Sequence, residues 1–127
     1  MADAVTSVTM YEDAKKAIIK FTNTSDGTGE SAVAKVDVSA LSPAASNVRI
    51  TKIWYATAGM SVNILEDATT DVLLFTIGTG VYGYFDFSDF SGIPITKAAG
   101  YTGDILFTTV GHTNGDTYFI ILEVEKY

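Results

Sequence analysis

The chain has 127 residues, of which 47% are hydrophobic and none is cysteine, and its formal net charge is −7 at pH 7. This length suits one domain with its own core, and the lack of cysteine excludes thiolate chemistry and cysteine-ligated metals. We therefore expect residues 1–127 to form a single domain. The negative charge opposes direct binding to nucleic acid or to anionic membranes, so we expect the domain to bind neither.

Short runs rich in Val, Ile, Thr, Tyr and Phe alternate with turn residues along the whole chain. No window keeps a helical period for long, and the best helical candidate, 12–19, allows one or two turns. The runs therefore predict an all-β domain of about eight strands, folded as a two-sheet β-sandwich of jelly-roll type. The candidate strands are 4–10, 16–23, 32–38, 47–57, 60–66, 72–78, 81–87, 103–111 and 117–125.

The stretch "TNTSDGTGES" at 22–31 separates the second and third of these runs. It lacks the Lys of a phosphate-binding loop, and Thr22 and Thr24 stand where a regular calcium loop needs carboxylates. Its Asp-Gly and Thr-Gly pairs are typical of turns, so we predict a hairpin loop. An irregular calcium site through Asp26 and Glu30 stays open as the alternative.

The segment "VYGYFDFSDF" at 81–90 combines aromatic and acidic side chains. Asp86 and Asp89 could form a carboxylate pair for glycoside hydrolysis, but their spacing alone does not set the required distance. Tyr82 and Tyr84, with the single Trp54, could instead form an aromatic platform for a sugar. A plain strand with buried aromatic residues and exposed acids is the simpler interpretation.

The C-terminal segment "GDILFTTVGHTNGDTYFIILEVEKY" contains Asn114-Gly115 between two strand-like runs. Asn-Gly favours a two-residue hairpin turn, which would pair 103–111 with 117–125. In that register one face is apolar, and the other carries an apolar patch of Val110, Phe119 and Ile121. The patch predicts a subunit or partner contact, unless a loop covers it.

No combination of residues in the chain matches a catalytic or cofactor-binding motif. His112 is the only histidine, which excludes a metal site built from several histidines, and no Gly-x-Ser-x-Gly elbow supplies a nucleophile. We therefore predict no enzymatic activity, no cofactor and no metal, and interpret His112 as a residue at a turn or strand end.

Four segments taken together resemble a family of small virion proteins of tailed bacteriophages, the capsid decoration or cement proteins. They are "KFTNTSDGTGESAVAKVDVSAL", "RITKIW", "GMSVNILED" and "TGDILFTTVGHTNGDTYFIILEVEK". The resemblance runs from about residue 5 to residue 126 and is weakest between 72 and 100. The shared residues belong to turns and strands and include no catalytic group.

The resemblance implies a structural protein that binds the exterior of a phage capsid and bridges subunits of the major capsid protein. It also implies a homo-oligomer, with a trimer favoured. The interface residues expected from the sequence are Val110, Phe119, Ile121, Tyr82 and Tyr84. The alternative is a virion or phage-encoded carbohydrate-binding β-sandwich module that uses Tyr82, Tyr84 and Trp54.

Overall fold

The computed structural model describes residues 3–126, apart from the side chain of residue 90. These residues form nine β-strands and two short 3-10 helices, Val38–Ala40 and Ser88–Phe90. The strands are β1 (Ala4–Glu12), β2 (Lys16–Thr24), β3 (Val33–Val36), β4 (Val48–Ala58), β5 (Ser61–Glu66), β6 (Val72–Ile77), β7 (Tyr82–Asp86), β8 (Ile105–Val110) and β9 (Thr117–Lys126). All nine candidate strands predicted from the sequence are present, with bounds shifted by a few residues.

The strands form a five-stranded sheet of order β1-β2-β9-β4-β7 and a four-stranded sheet of order β3-β8-β5-β6. All neighbours are antiparallel. The pairs β2–β9, β3–β8, β4–β7 and β5–β6 are nested, as in one long hairpin that has been rolled into two layers. This arrangement is a jelly roll with β1 added at one edge, which confirms the predicted two-sheet sandwich and makes the strand count nine.

The core lies between the two sheets and follows from the alternation of side chains along each strand. In β9, Tyr118, Ile120, Leu122 and Val124 point inward and are at most 2% exposed. Phe107 of β8 faces them, with its ring centroid 5.8 Å from that of Tyr118. Inward-facing residues of both sheets meet in this way and close the core, which leaves β1 outside it.

The predicted hairpin between β8 and β9 is wrong, because the two strands belong to different sheets. Both edges of β9 are occupied by β2 and β4, and both edges of β8 by β3 and β5. Of the Asn-Gly pair, Gly115 alone has a positive φ, whereas a type I′ turn needs one at both positions. Residues 111–116 therefore cross from one sheet to the other.

Residues 25–32 are likewise a crossing between sheets, and the predicted hairpin loop is wrong there too, since β2 and β3 lie in different layers. The crossings at 25–32 and 111–116 lie side by side. The Ser25 N–H donates to the Asp116 carbonyl at 2.7 Å, and the Gly115 N–H donates to the Ser25 carbonyl at 2.8 Å. The two loops therefore stabilise each other at one end of the sandwich.

The long connection between β7 and β8 is held by one buried carboxylate. Glu66, at the end of β5, is 0% exposed. It accepts hydrogen bonds from the Thr96 N–H at 2.8 Å, the Thr96 hydroxyl at 3.0 Å and the Ala98 N–H at 3.2 Å. Satisfying these groups lets a buried carboxylate anchor residues 91–104, which contain no strand or helix.

Replacing Phe107 by Ala should lower the free energy of unfolding by about 3–5 kcal/mol, because its ring packs between the sheets and would leave a cavity. Urea denaturation followed by circular dichroism measures the change. Leu73→Ala, at a side chain that is 55% exposed, is the matched control and should change it by about 0.5 kcal/mol at most. Equal losses in the two variants would contradict this assignment of the core.

Candidate functional site

The outer face of the five-stranded sheet carries aromatic and aliphatic side chains from three neighbouring strands. The strand registers align one row of outward-facing residues across the sheet: Val8, Lys20, Ile121, Trp54 and Tyr84. The next row contains Thr6, Thr22, Phe119, Ala56 and Tyr82. We refer to Trp54, Tyr82, Tyr84, Phe119 and Ile121 as the aromatic face.

The aromatic face is open to solvent and partly ordered by its own contacts. Trp54 and Tyr84 stack with ring centroids 5.1 Å apart and an interplanar angle of 26°. Tyr82 is 86% exposed, Tyr84 47% and Phe119 42%, although all three are large side chains. Single exposed aromatic residues scattered over a surface are ordinary. A group of them on one face is typical of a binding surface.

Charged residues border the aromatic face along its next row. Glu123 of β9 lies between two lysines, with Oε1 3.5 Å from Lys16 Nζ and Oε2 3.7 Å from Lys52 Nζ. The Thr51 hydroxyl also donates to Glu123 at 3.1 Å. A shallow polar cleft of about 440 Å³ opens beside these residues and is lined by Asp13, Lys15, Lys16, Thr51, Lys52, Ser88, Glu123 and Glu125. An apolar centre with a polar rim is the usual composition of a protein interface.

Asp86 ends the β7 side of this border. Its carboxylate accepts the Ser88 N–H at 2.8 Å, and hydrogen bonds from Ser88 lower the pKa of Asp86. Desolvation, and then the charge of Asp86, raises the pKa of the neighbouring Tyr84 phenol. Asp86 therefore closes a turn, and Tyr84 presents a neutral hydroxyl at physiological pH. The simpler sequence interpretation is right that Asp86 and Asp89 are exposed. It is wrong that the aromatic residues are buried, because Tyr82 and Tyr84 point to the outer face of the sheet.

Four of the five interface residues expected from the sequence, Tyr82, Tyr84, Phe119 and Ile121, lie together on the aromatic face. Val110 does not, because it belongs to β8 in the other sheet and pairs with Ser61. The expected patch of Val110, Phe119 and Ile121 is therefore wrong as a contiguous surface. The error follows from the incorrectly predicted β8–β9 hairpin, which would have placed Val110 opposite Phe119.

The loop 25–32, considered above for phosphate or calcium, instead surrounds a buried polar cluster. Glu30 is its centre: Oε1 accepts from the Tyr118 hydroxyl at 2.6 Å and from Asn23 Nδ2 at 2.9 Å, and Oε2 lies 2.5 Å from Lys35 Nζ. The Glu30 and Lys35 side chains are each only 6% exposed. Burial, and then the hydrogen bond to Glu30, raises the pKa of Tyr118 far above its ordinary range, so its phenol stays a donor.

Asp3 joins this cluster from the start of β1. Burial alone would raise the pKa of Asp3, but hydrogen bonds from Asn23 and from the N–H groups of Asp26 and Gly29 outweigh burial and lower it. The open calcium alternative required Asp26 and Glu30 as ligands, yet Glu30 is already bound by Lys35, Tyr118 and Asn23. Within residues 3–126, no group of three or more His, Asp or Glu side chains is placed to hold a metal ion.

His112 lies in the crossing 111–116, where its Nδ1 is 3.1 Å from the Thr109 hydroxyl. That hydroxyl accepts the Glu30 N–H at 2.8 Å. The imidazole also packs over Gly29, where a Cβ would stand only 2.2 Å from the ring. The nearby Asp116 carboxylate is bound instead to the Thr113 N–H at 2.7 Å. These contacts fit the interpretation of His112 as a residue that holds a turn.

The pairing of Trp54 with Ile121 across β4 and β9 was not predicted from the sequence. A signal for the outward side of Trp54 was present in the alternation of "KIWYA", since a buried Ile53 forces Trp54 outward. The adjacency of β9, β4 and β7, however, depends on pairings between distant parts of the chain. The ion pair of Glu30 with Lys35 was missed because residues 25–32 were interpreted as a hairpin loop and not as a crossing between the sheets.

Comparisons with known proteins concern the fold alone. No family model matches the sequence, and no curated protein matches it. Among solved structures, a cupin superfamily protein from Desulfitobacterium hafniense DCB-2 is similar, with 11% identity, a TM-score of 0.36, and coverage of 99% of this chain and 80% of that one. A mutant of a family 29 carbohydrate-binding module shows 12% identity, a TM-score of 0.42, and coverage of 96% and 85%. Likeness at this level carries no information on what the present chain binds.

No helix among residues 3–126 has the length and apolar character needed to span a bilayer.

Replacing Lys35 by Met should lower the free energy of unfolding by about 3–5 kcal/mol, because the buried Glu30 carboxylate would lose its counter-charge. Urea denaturation at neutral pH measures this change. Lys15→Met, at an exposed lysine, is the control and should have little effect. The double variant Lys35→Met, Glu30→Gln should recover much of the loss, since no unpaired charge remains. A Lys35→Met variant as stable as the wild type would refute this account of the cluster.

Proposed function

We propose that this chain is a non-enzymatic structural protein of a tailed-phage virion, which binds the outer surface of the capsid and bridges subunits of the major capsid protein. The observation that carries the proposal is the aromatic face, an exposed apolar surface with a charged border on a rigid sheet. The resemblance of four sequence segments to capsid decoration proteins supplies the identity of the partner.

The aromatic face has the composition of an interface whose binding energy is concentrated in a few side chains. Trp and Tyr are the residues most often found at such positions, because they bury a large area with few rotatable bonds. Trp54 and Tyr84 are already stacked, so they lose little side-chain freedom on binding. Lys16, Lys52 and Glu123 would then form the solvated rim that fixes orientation.

The proposed stabilisation works through binding alone and needs no catalysed reaction. A protein that binds only the assembled shell stabilises that state by RT ln(1 + [L]/Kd) for each site, and the effect is summed over many copies. Bridging adds to it, because a contact that spans two capsid subunits must break before they separate. The net charge of −7 suits a protein that stays outside the shell, away from the packaged nucleic acid. We further propose a homo-oligomer, for which the resemblance favours a trimer.

Trp54→Ala and Phe119→Ala should each weaken binding to mature capsid shells at least tenfold, while leaving the melting temperature nearly unchanged. The measurement is co-sedimentation of the purified protein with shells stripped of their small proteins, with bound copies counted per major capsid subunit. Val110→Ala is the matched control, because Val110 is similarly exposed but lies on the opposite sheet. Binding that is lost equally in all three variants, or absent in the wild type, would overturn the proposal.

A second candidate function, carbohydrate binding, is favoured by one observation: Tyr82 is 86% exposed beside the stacked pair of Trp54 and Tyr84. A sugar ring packs on such a platform through its apolar face. Glycan-array binding that is abolished by Tyr84→Ala and retained in Val110→Ala would establish this function. An array without signal, together with saturable binding to shells, would exclude it in favour of the capsid.

A further inference from the structure

The outer edge of β1 is the longest free strand edge in the described part of the chain. β1 pairs with β2 on one side, and none of the strands described pairs with its other side. It has nine residues, against four, six and five in the other edge strands β3, β6 and β7. Its unpaired N–H and C=O groups are a template on which another strand can form.

The usual protection against such pairing is missing from β1. Edge strands are commonly guarded by lysines, prolines or inward-pointing charges. The segment 4–11, "AVTSVTMY", contains no charged residue and no proline, whereas β3 contains Lys35 and β7 contains Asp86. The one irregularity is a β-bulge between Thr9 and Tyr11, which leaves Ala4 to Thr9 as a regular strand.

The apolar side chains of β1 are uncovered on both sides. Val5, Val8, Met10 and Tyr11 are 46–56% exposed, and they account for a third of the large exposed hydrophobic side chains. The five-stranded sheet has one strand more than the sheet it packs on, so β1 extends beyond the four-stranded layer. A strand added at this edge would cover apolar area on both faces at once.

β1 is already held in the conformation that pairing needs. Asp3, just before it, accepts the N–H groups of Asp26 and Gly29, each at 3.1 Å. The Thr6 and Thr22 hydroxyls are hydrogen-bonded across the β1–β2 pair. A partner strand would therefore bind an ordered template, with no cost for ordering β1 itself.

We propose that β1 pairs antiparallel with β1 of a second copy of this chain, so that the homo-oligomer is a dimer and not the trimer that the resemblance favours. Two copies of a protein with net charge −7 repel each other, and the uncharged segment 4–11 of β1 is where they can approach with the least repulsion. An antiparallel pair of identical strands is related by a two-fold axis, so the same surface serves both partners and the contact is closed. The product is a continuous sheet of ten strands, twice the five of one copy.

The two-fold axis stands perpendicular to the sheet, because only that orientation pairs identical strands antiparallel while keeping the layers aligned. Both aromatic faces then point to the same side of the dimer. This consequence rests on the proposed function: a dimer could engage two equivalent sites on the shell, and its two linked contacts would bind more tightly than one. The dimerisation itself does not depend on any capsid.

The test uses charges at Ser7, an exposed residue in the middle of the regular part of β1. Sedimentation velocity of the full chain without shells should show a dimer for the wild type. Ser7→Lys and Ser7→Glu should each be monomeric, because pairing brings like charges together across the axis. An equimolar mixture of the two variants should restore dimers, since opposite charges then meet.

The control variant Leu73→Lys introduces a lysine, as Ser7→Lys does, but on the edge strand β6. It should leave the dimer intact, because β6 takes no part in the proposed pairing. Urea midpoints equal to that of the wild type would show that the Ser7 variants are folded. A monomeric or trimeric wild type, or a dimer unaffected by charge at Ser7, would overturn the inference. Because this measurement omits shells, it is independent of the shell-binding test: dimers that ignore shells would refute the proposed function alone.

Discussion

The strict alternation of side chains along β9 is the constraint on which the rest of the structure depends. Its inward residues, among them Ile120 and Leu122, are fully buried between the sheets. Its outward residues Phe119 and Ile121 lie on the aromatic face. Both edges of the strand are hydrogen-bonded, to β2 and β4, so it cannot shift by one residue without exchanging its core and surface sets. The aromatic face is therefore as rigidly placed as the core.

The buried polar cluster around Glu30 also fixes the positions of strands, at one end of the sandwich. The two sheets pack on each other through apolar contacts that tolerate small displacements, whereas hydrogen bonds to a carboxylate require a set distance and direction. Glu30 joins the crossing 25–32 to Tyr118 on β9 and to Lys35 on β3, so it ties both sheets to one loop. Asp3 extends these contacts to the first residues of β1. The edge strand is thereby fixed to the body of the domain.

The sequence predicted the elements far better than their partners. Each strand could be recognised from local alternation and from the turn residues beside it, because strand periodicity depends only on neighbouring positions. Pairing is not local: Asn114-Gly115 carries a strong hairpin signal, but two strands with both edges already occupied cannot also pair with each other. The pairing of β9 with β2 and β4, and of β8 with β3 and β5, therefore prevailed over the local hairpin signal. The capsid partner proposed above rests on the resemblance to decoration proteins and not on these local patterns.

The expected site was partly recovered for the same reason. Phe119 and Ile121 came from alternation within one strand and were placed on the correct side. Tyr82 and Tyr84 were named as a possible aromatic platform, although the simpler interpretation buried them. Joining the pairs required β4 to lie between β7 and β9, which brings Trp54 beside Ile121. Val110 was misplaced because its position depended on the incorrect hairpin. Local rules thus identified the outward side chains, and tertiary pairing decided which of them meet.

The nested pairing has a consequence for how the chain is made. The central pairs of the five-stranded sheet join residues 16–24 and 48–58 to residues 117–126. On a ribosome, β2 and β4 therefore emerge long before the strand that separates them, and until then each has a permanent neighbour on one edge only, β1 for β2 and β7 for β4. Contacts so distant in sequence form slowly, because a long loop must close before they are made. A chain stalled before residue 117 would hold only the four-stranded layer and the β4–β7 and β1–β2 pairs, with its apolar surfaces open to aggregation.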